Sequence, residues 1–239
     1  MKQQPLKRIK TAFILAAGFG TRLEHLTKDI PKPLVIYKGR PMIENVIYKL
    51  ESSGITDIFI NTHHHHGKMY EYFENRKSSS RIKLLYEKEI LGTGGAIKNA
   101  QEYLSNEEDF FIYNCDVDCE IDLSLLENFH FSKNSSVTLA VQARKSGRSL
   151  LGDPEGALIG LTRNGNDIIH KNGSFEVIKH LGFCGIQIVK NEIFRHFPPN
   201  EQIIDIISVY MSMVKYNIRI YTYDISDVFW KDLGTPQNL

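Results

Sequence analysis

Residues 15–33 read LAAGFGTRLEHLTKDIPKP, and this stretch limits the fold more than any other. An apolar run, Ala12-Phe13-Ile14-Leu15-Ala16-Ala17, has strand character and enters a tight turn, Gly18-Phe19-Gly20-Thr21-Arg22. Glycines after a strand let backbone N–H groups approach a phosphate without a Cβ in the way. Lys32 follows, held between Pro31 and Pro33, which stiffen the segment that presents it. Arg22 and Lys32 are therefore two fixed cations able to balance a triphosphate. A dinucleotide fingerprint is excluded because Leu23 stands where its third glycine belongs, and no Walker A loop is present.

Downstream, strand and helix patterns alternate, which predicts an α/β fold with a largely parallel sheet and helices on both faces. Strands are expected at Ala12–Leu15, Asp57–Asn61, Ile82–Tyr86 and Asp109–Tyr113. A helix after Pro41 carries Ile43, Val46, Ile47 and Leu50 on one stripe and stops at Gly54. A polar helix covers Gly67–Asn75; Thr93 caps a helix with Ala96, Ile97, Ala100 and Leu104; Asp122 caps the next. Val137–Ala143, Ala157–Leu161, Leu181–Val189 and Ile218–Tyr223 read as strands, and Glu201–Lys215 as a helix. No linker or repeat breaks the 239 residues, so 1–239 is expected to form one domain. Lys77–Ser80 and Arg144–Ser149 are the best candidates for mobile loops.

Composition narrows the partners. A formal charge of +1 gives no bulk field for nucleic acid or an anionic membrane, so neither is expected as a partner. Lys7, Arg8 and Lys10 before an apolar stretch imitate a signal peptide, but that stretch is short and has no small-residue cleavage site. No segment approaches the ~20 apolar residues of a transmembrane helix. An odd number of cysteines, 3, argues against a disulfide framework and suits a reducing, cytoplasmic setting.

Asp116 follows an apolar strand in Asn114-Cys115-Asp116-Val117-Asp118, where open α/β sheets bind ligands. Hard carboxylate oxygens suit Mg²⁺, although a lone strand-end Asp more often caps a turn. A second carboxylate, Asp232, stands in Phe229-Trp230-Lys231-Asp232-Leu233-Gly234-Thr235-Pro236; spacing alone cannot bring the two together. Leu91-Gly92-Thr93-Gly94-Gly95-Ala96-Ile97 has the look of an anion site at a helix start, or simply of a flexible one. The run His63-His64-His65-His66 invites a zinc reading, but consecutive strand residues point oppositely and no zinc-spaced partner is near, so His64–His66 read as a solvated turn. Cys115 and Cys119 have no second pair and read as structural.

Taken in order, G-x-G-T-R, P-K-P, L-G-T-G-G, the Asp116 segment and W-x-D-L-G-T-P resemble the sugar-1-phosphate nucleotidylyltransferases. The resemblance spans Ile14–Pro236. It implies a Rossmann-like three-layer α/β/α sandwich with a mixed, mostly parallel sheet. The chain ends soon after Asp232, so the C-terminal β-helix domain of longer relatives is not expected. The implied reaction transfers a nucleotidyl group from an NTP to a sugar 1-phosphate, with Mg²⁺ held by Asp116 and Asp232. Arg22, Lys32 and Asp116 are the implied catalytic residues. Leu15, Ala16, Ala17, Gly18, Gly20, Thr21, Arg22, Asn61, Thr93 and Gly94 are the implied nucleotide contacts, with His63 an alternative to Asn61. Lys32, Lys179, Gly185 and Trp230 are the implied sugar-phosphate contacts, and His180 shares the case for Lys179. Short relatives include muramate-type uridylyltransferases and heptose- and mannose-type guanylyltransferases. Asn61-Thr62-His63-His64 and Ser149-Leu150-Leu151 lean to UTP over GTP. The expected assembly is a monomer or small homo-oligomer. A cytidylyltransferase for a phospho-alcohol such as phosphocholine, or a non-catalytic sugar-nucleotide-binding protein, are the alternatives.

Overall fold

The computed structural model describes residues 8–144, 148–171, 173 and 178–239. Asp109–Asn114 sits centrally, between Thr11–Leu15 and the long strand Lys179–Lys190. Asp57–Thr62 and then Arg81–Tyr86 extend the sheet beyond Thr11–Leu15, and both pair in parallel. On the other side Val137–Gln142 and then Ile220–Asp224 follow Lys179–Lys190. Lys179–Lys190 is antiparallel to both of its neighbours, and every other strand of this path points one way. The central sheet is therefore mixed and mostly parallel. The first residues of Lys179–Lys190 also pair with Leu150–Gly152, which begins an antiparallel annex with Leu158–Arg163 and Asn166–Ile169.

Strand residues alternate between two cores, as the period of two demands. Phe13, Phe110 and Ile112 face the helices Gly92–Asn99 and Ile206–Lys215. Ala12, Ile14, Phe111 and Tyr113 face the helices Met42–Ser52, His66–Glu74 and Leu123–Ser132. Both faces are covered, which explains why the central strands are near-continuously apolar. Met42–Ser52 buries Met42, Ile43, Val46, Ile47 and Leu50, each contributing about 1.5–3 kcal/mol of burial. Leu50→Ala would leave a cavity at a fully buried position and cost about 2–5 kcal/mol.

Three local expectations change. The last helix begins at Ile206, where the Asp205 carboxylate accepts from the Ile207 N–H at 3.1 Å. The residues before it are claimed by tertiary pairing: the Ile204 N–H donates to Leu91 O at 2.8 Å, and Ile204 O accepts from the N–H groups of Gly94 and Gly95. Thr93 is not the cap of its own helix; its hydroxyl accepts from the Ile206 N–H at 3.1 Å. Lys77–Ser80 is tied down rather than loose, because the Glu51 carboxylate accepts from Ser78 Oγ at 2.6 Å and from the Ser79 and Ser80 N–H groups. Lys7 and residues 145–147 of the second candidate loop lie outside the described residues. Asp122 does cap its helix, accepting from the Ser124 N–H at 2.8 Å.

The buried residues Asp109, His130 and Thr138 are linked in the order of a nucleophilic triad, at 3.1 and 2.8 Å. Asp109 opens its strand, so this network lies at the edge opposite the strand ends that carry ligand sites. It ties the helix Leu123–Ser132 to the sheet.

Candidate active site

Leu15, Thr62, Tyr86 and Asn114 end parallel strands at one edge of the sheet. A cleft of about 270 Å³ opens there. Leu15, Ala17, Gly18, Asn61 and Thr93 of the expected nucleotide contacts line it, together with Lys32, Asp116, Gly92, Asn114 and Glu87.

The two carboxylates meet through a short ladder. Trp230–Asp232 runs antiparallel to Val117–Cys119, with Asp232 opposite Val117. The Leu233 N–H donates to Asp116 O at 2.8 Å, which fixes the register. Each carboxylate has a cation. Lys32 Nζ donates to Asp116 Oδ2, and the lysine is only 8% exposed. Arg22 Nη1 lies 3.7 Å from Asp232 Oδ2, while Asp232 Oδ1 accepts from the Gly234 N–H at 2.6 Å. A Cβ at Gly234 would displace the ends of the Arg22 and Asp232 side chains, so both reach this backbone because the residue is glycine. The donor chemistry fits a hard divalent ion: two carboxylates on adjoining rungs, with lone pairs beyond those their cations use.

Gly20 has φ +69°, and a Cβ there would meet Thr27 Cγ2 at 2.9 Å and Lys32 Cβ at 3.0 Å. Its role is thus to let the turn close against Lys32. Gly185, φ +76°, places its Cα where a Cβ would lie 2.8 Å from Asn114 Nδ2. That backbone passes directly beside the Asn114–Asp116 segment. Trp230 is fixed by its indole N–H, which donates to Cys184 O at 2.9 Å.

The other expected contacts are placed as follows by their backbone partners and strand positions. The Gly94 N–H is spent on Ile204 O at 2.8 Å, and a Cβ there would meet Ile204 Cγ2 at 2.8 Å and Ile206 N at 3.1 Å. Its open side thus faces the Ile204–Ile206 segment and not the cleft. Ala16 donates its N–H to Asn61 Oδ1 at 2.6 Å. Thr21 is exposed at the start of a 3₁₀ turn, Thr21–Thr27. Lys179 opens its strand opposite Gly152 in the annex, about 20 Å along the strand from Gly185. His180 pairs there with Asp167 at 2.9 Å.

Asn61 bridges the first strand to a residue that the motifs did not suggest. Its Nδ2 donates to Glu87 Oε1 at 2.7 Å. Glu87 is 2% exposed, and burial raises its carboxyl above the ordinary range despite that hydrogen bond and one from the Leu91 N–H. Glu87 directly follows a parallel strand, the same positional signal that singled out Asp116. Its neighbours Lys88 and Glu89 give it the look of a solvated charge run.

The histidines form a turn at the mouth of the site. His65 has φ +54° and precedes the helix His66–Glu74. His63 Nδ1 lies 2.9 Å from Glu87 O, and the Phe19 ring packs edge-on against the His63 ring at 5.4 Å. Among the described residues no group of three or more His, Cys, Asp or Glu side chains is arranged to hold a metal ion. Cys115, Cys119 and Cys184 are buried and unbridged, and burial pushes the Cys115 and Cys184 thiols up to about 12.

The chain belongs to the nucleotidyl transferase family, whose model matches residues 11–149. It is similar to the mannose-1-phosphate guanyltransferase of Yarrowia lipolytica, 26% identical over 237 residues, covering 94% of this chain and 61% of that one. A D-glycero-alpha-D-manno-heptose 1-phosphate guanylyltransferase of Campylobacter jejuni is 38% identical over 116 residues, 48% of this chain and 52% of that one. The chain thus spans roughly half to three-fifths of the length of these relatives. Among solved structures, the fold matches the inositol-1-phosphate CTP transferase from T. maritima, with a TM-score of 0.78 and 17% identity, covering 98% of this chain and 93% of that one. HddC from Yersinia pseudotuberculosis gives a TM-score of 0.76 at 23% identity, with 96% of each chain covered. No helix among the described residues is long and apolar enough to cross a membrane.

Proposed function

We propose that this protein transfers a nucleotidyl group from an NTP to a sugar 1-phosphate, forming an NDP-sugar and pyrophosphate. The observation that carries this reading is the pairing of Lys32 with Asp116 and Arg22 with Asp232 across one short ladder. Two cations and two carboxylates at a glycine turn match a reaction that only redistributes phosphate charge. A sugar-phosphate oxygen, already ionised, attacks the α-phosphorus in line, and pyrophosphate leaves. No protein base is needed, so positioning and charge neutralisation supply the catalysis.

Asp116 and Asp232 would hold Mg²⁺, whose chemistry when bound is to polarise the α-phosphate and neutralise developing charge. Arg22, exposed at the turn, holds the leaving phosphates. Lys32, buried against Asp116, faces the α-phosphate and the incoming phosphate. Gly185 and Trp230 border the acceptor side.

For the base, we favour GTP over UTP. The two sequence relatives reported above are named guanyl- or guanylyltransferases, and Glu87 offers a buried carboxylate at the cleft. Guanine presents N1–H and N2–H together to such an acceptor, whereas uracil presents a single N–H. The acceptor class follows the same relatives: mannose or heptose 1-phosphate.

The test is a pyrophosphate-release screen crossing four NTPs with a panel of sugar 1-phosphates in Mg²⁺. Release only with GTP and a mannose-type sugar 1-phosphate is the expected result. Release with CTP and phosphocholine would move the protein to a different acceptor class.

A further inference from the structure

A second, larger cleft of about 700 Å³ opens between the Leu158–Arg163/Asn166–Ile169 hairpin and the helix Ile206–Lys215. Its floor is apolar, with Leu161 and Met211 buried and Ile168 at the lip. Arg148, Arg163, His170 and Lys215 line it, against one carboxylate, Asp205. Asp205 is already engaged: Oδ2 lies 2.5 Å from Arg148 Nη1, and Oδ1 caps the helix. Among the described residues no carboxylate pairs with Arg163, His170 or Lys215. Burial and the nearby Lys215 ammonium hold the His170 imidazole below its ordinary value, so it faces the cleft as a neutral ring able to donate one N–H, beside the cations Arg163 and Lys215. Like charges converging on a concave surface are relieved by an anion.

We propose that this cleft binds a small organic phosphate, with the phosphate against Arg163, His170 and Lys215 and the organic part on Leu161, Ile168 and Met211. The cleft is coupled to the nucleotide site by its own wall. The helix Ile206–Lys215 starts with an N–H that donates to Thr93 Oγ1, and the residue before its cap, Ile204, accepts from Gly94 and Gly95. Thr93 and Gly92 line the catalytic cleft. A ligand that shifts this helix therefore shifts the loop beside the nucleotide. The binding does not depend on the reaction catalysed; the coupling rests on the nucleotide reading above.

The experiment is calorimetric titration of the full chain with inorganic phosphate and with phenyl phosphate, whose ring matches the apolar floor. Wild type and Asp116→Asn should bind phenyl phosphate alike, and more tightly than inorganic phosphate. The double variant Arg163→Gln/Lys215→Gln changes two exposed residues, should melt like wild type, and should bind at least about tenfold more weakly. Absence of saturable binding in wild type, or equal affinity in the double variant, would overturn the site. Coupling is read as the Kd of GTP with and without phenyl phosphate at its wild-type Kd, a concentration that half-fills wild type and leaves the double variant about nine-tenths empty. It should change in wild type and not in the double variant. No change in wild type overturns the coupling alone, and a change that persists in the double variant shows competition in the catalytic cleft and overturns it too.

Discussion

Glu87→Gln is the most informative single substitution at the base side of the cleft. The carboxylate is almost wholly buried and is held by Asn61 Nδ2 at 2.7 Å and the Leu91 N–H at 3.3 Å. Gln keeps one acceptor for Asn61 and replaces the other with a donor. Guanine then loses one charge-assisted partner, worth about 1.5–3 kcal/mol, and gains a facing N–H. GTP kcat/KM should fall about 10–150-fold. UTP, with one N–H to satisfy, should lose far less, so discrimination between the two should shrink. The assay is pyrophosphate release at several concentrations of each nucleotide. A GTP kcat/KM within about twofold of wild type would remove Glu87 from base recognition. A pH series adds an independent readout. Burial raises the Glu87 carboxyl in the folded state, so its stabilising effect is complete below the ordinary value of 4.5 and is lost as pH rises through the raised one. The variant has no such loss. Its Tm should gain on that of wild type as pH rises from below 4.5 toward neutrality, and parallel curves would contradict the burial argument.

The other expectations concern the charge pairs, the helix start and the histidines. Lys32→Ala leaves Asp116 without its cation at a largely buried position; turnover should fall about 100-fold or more, measured as kcat with both substrates saturating. Asp232→Asn should raise the Mg²⁺ concentration needed for half-maximal rate while the melting curve stays close to wild type, because the residue is partly exposed. Gly94→Val drives a side chain into Ile204 and Ile206, so the expected loss is about 2–3 kcal/mol, read as a Tm drop of about 5–10 °C, accompanied by a higher NTP KM. Replacing His64, His65 and His66 together should leave activity within a few-fold, and metal analysis of the purified protein should find no stoichiometric zinc.

Much of this site was legible because local chemistry and sheet topology agree. A strand running into G-x-G-T-R, and a carboxylate just past another strand, specify positions on the same sheet edge whatever the rest of the chain does. The Asp116–Asp232 approach was readable only through resemblance, since a ladder between Val117–Cys119 and Trp230–Asp232 leaves no periodic trace. The direction in which Gly94 faces is set by a packing partner that local sequence does not reveal. A glycine's open side depends on what packs against it, and here that is the chain entering the last helix, Ile204 and Ile206, from distant sequence. The same segment took the first turn from the last helix, overriding a helical pattern that local propensity supports. Lys179 stands beside a plausible motif in sequence, but the length of its strand carries it far into the annex. Glu87 was hidden by charged neighbours, although its position after a parallel strand was the available signal.

The most direct test of nucleotidyl transfer is ³¹P NMR of the full-length chain with GTP, Mg²⁺ and either mannose 1-phosphate or a manno-heptose 1-phosphate. The account predicts that the signals of GTP and of one sugar phosphate decline together. Two coupled diphosphate resonances of a nucleotide sugar and one pyrophosphate resonance should grow in equal molar amounts, and Asp116→Asn should abolish all of them. GTP left intact beside both acceptors by well-folded protein, or converted to GMP and pyrophosphate without a sugar diphosphate, would contradict it.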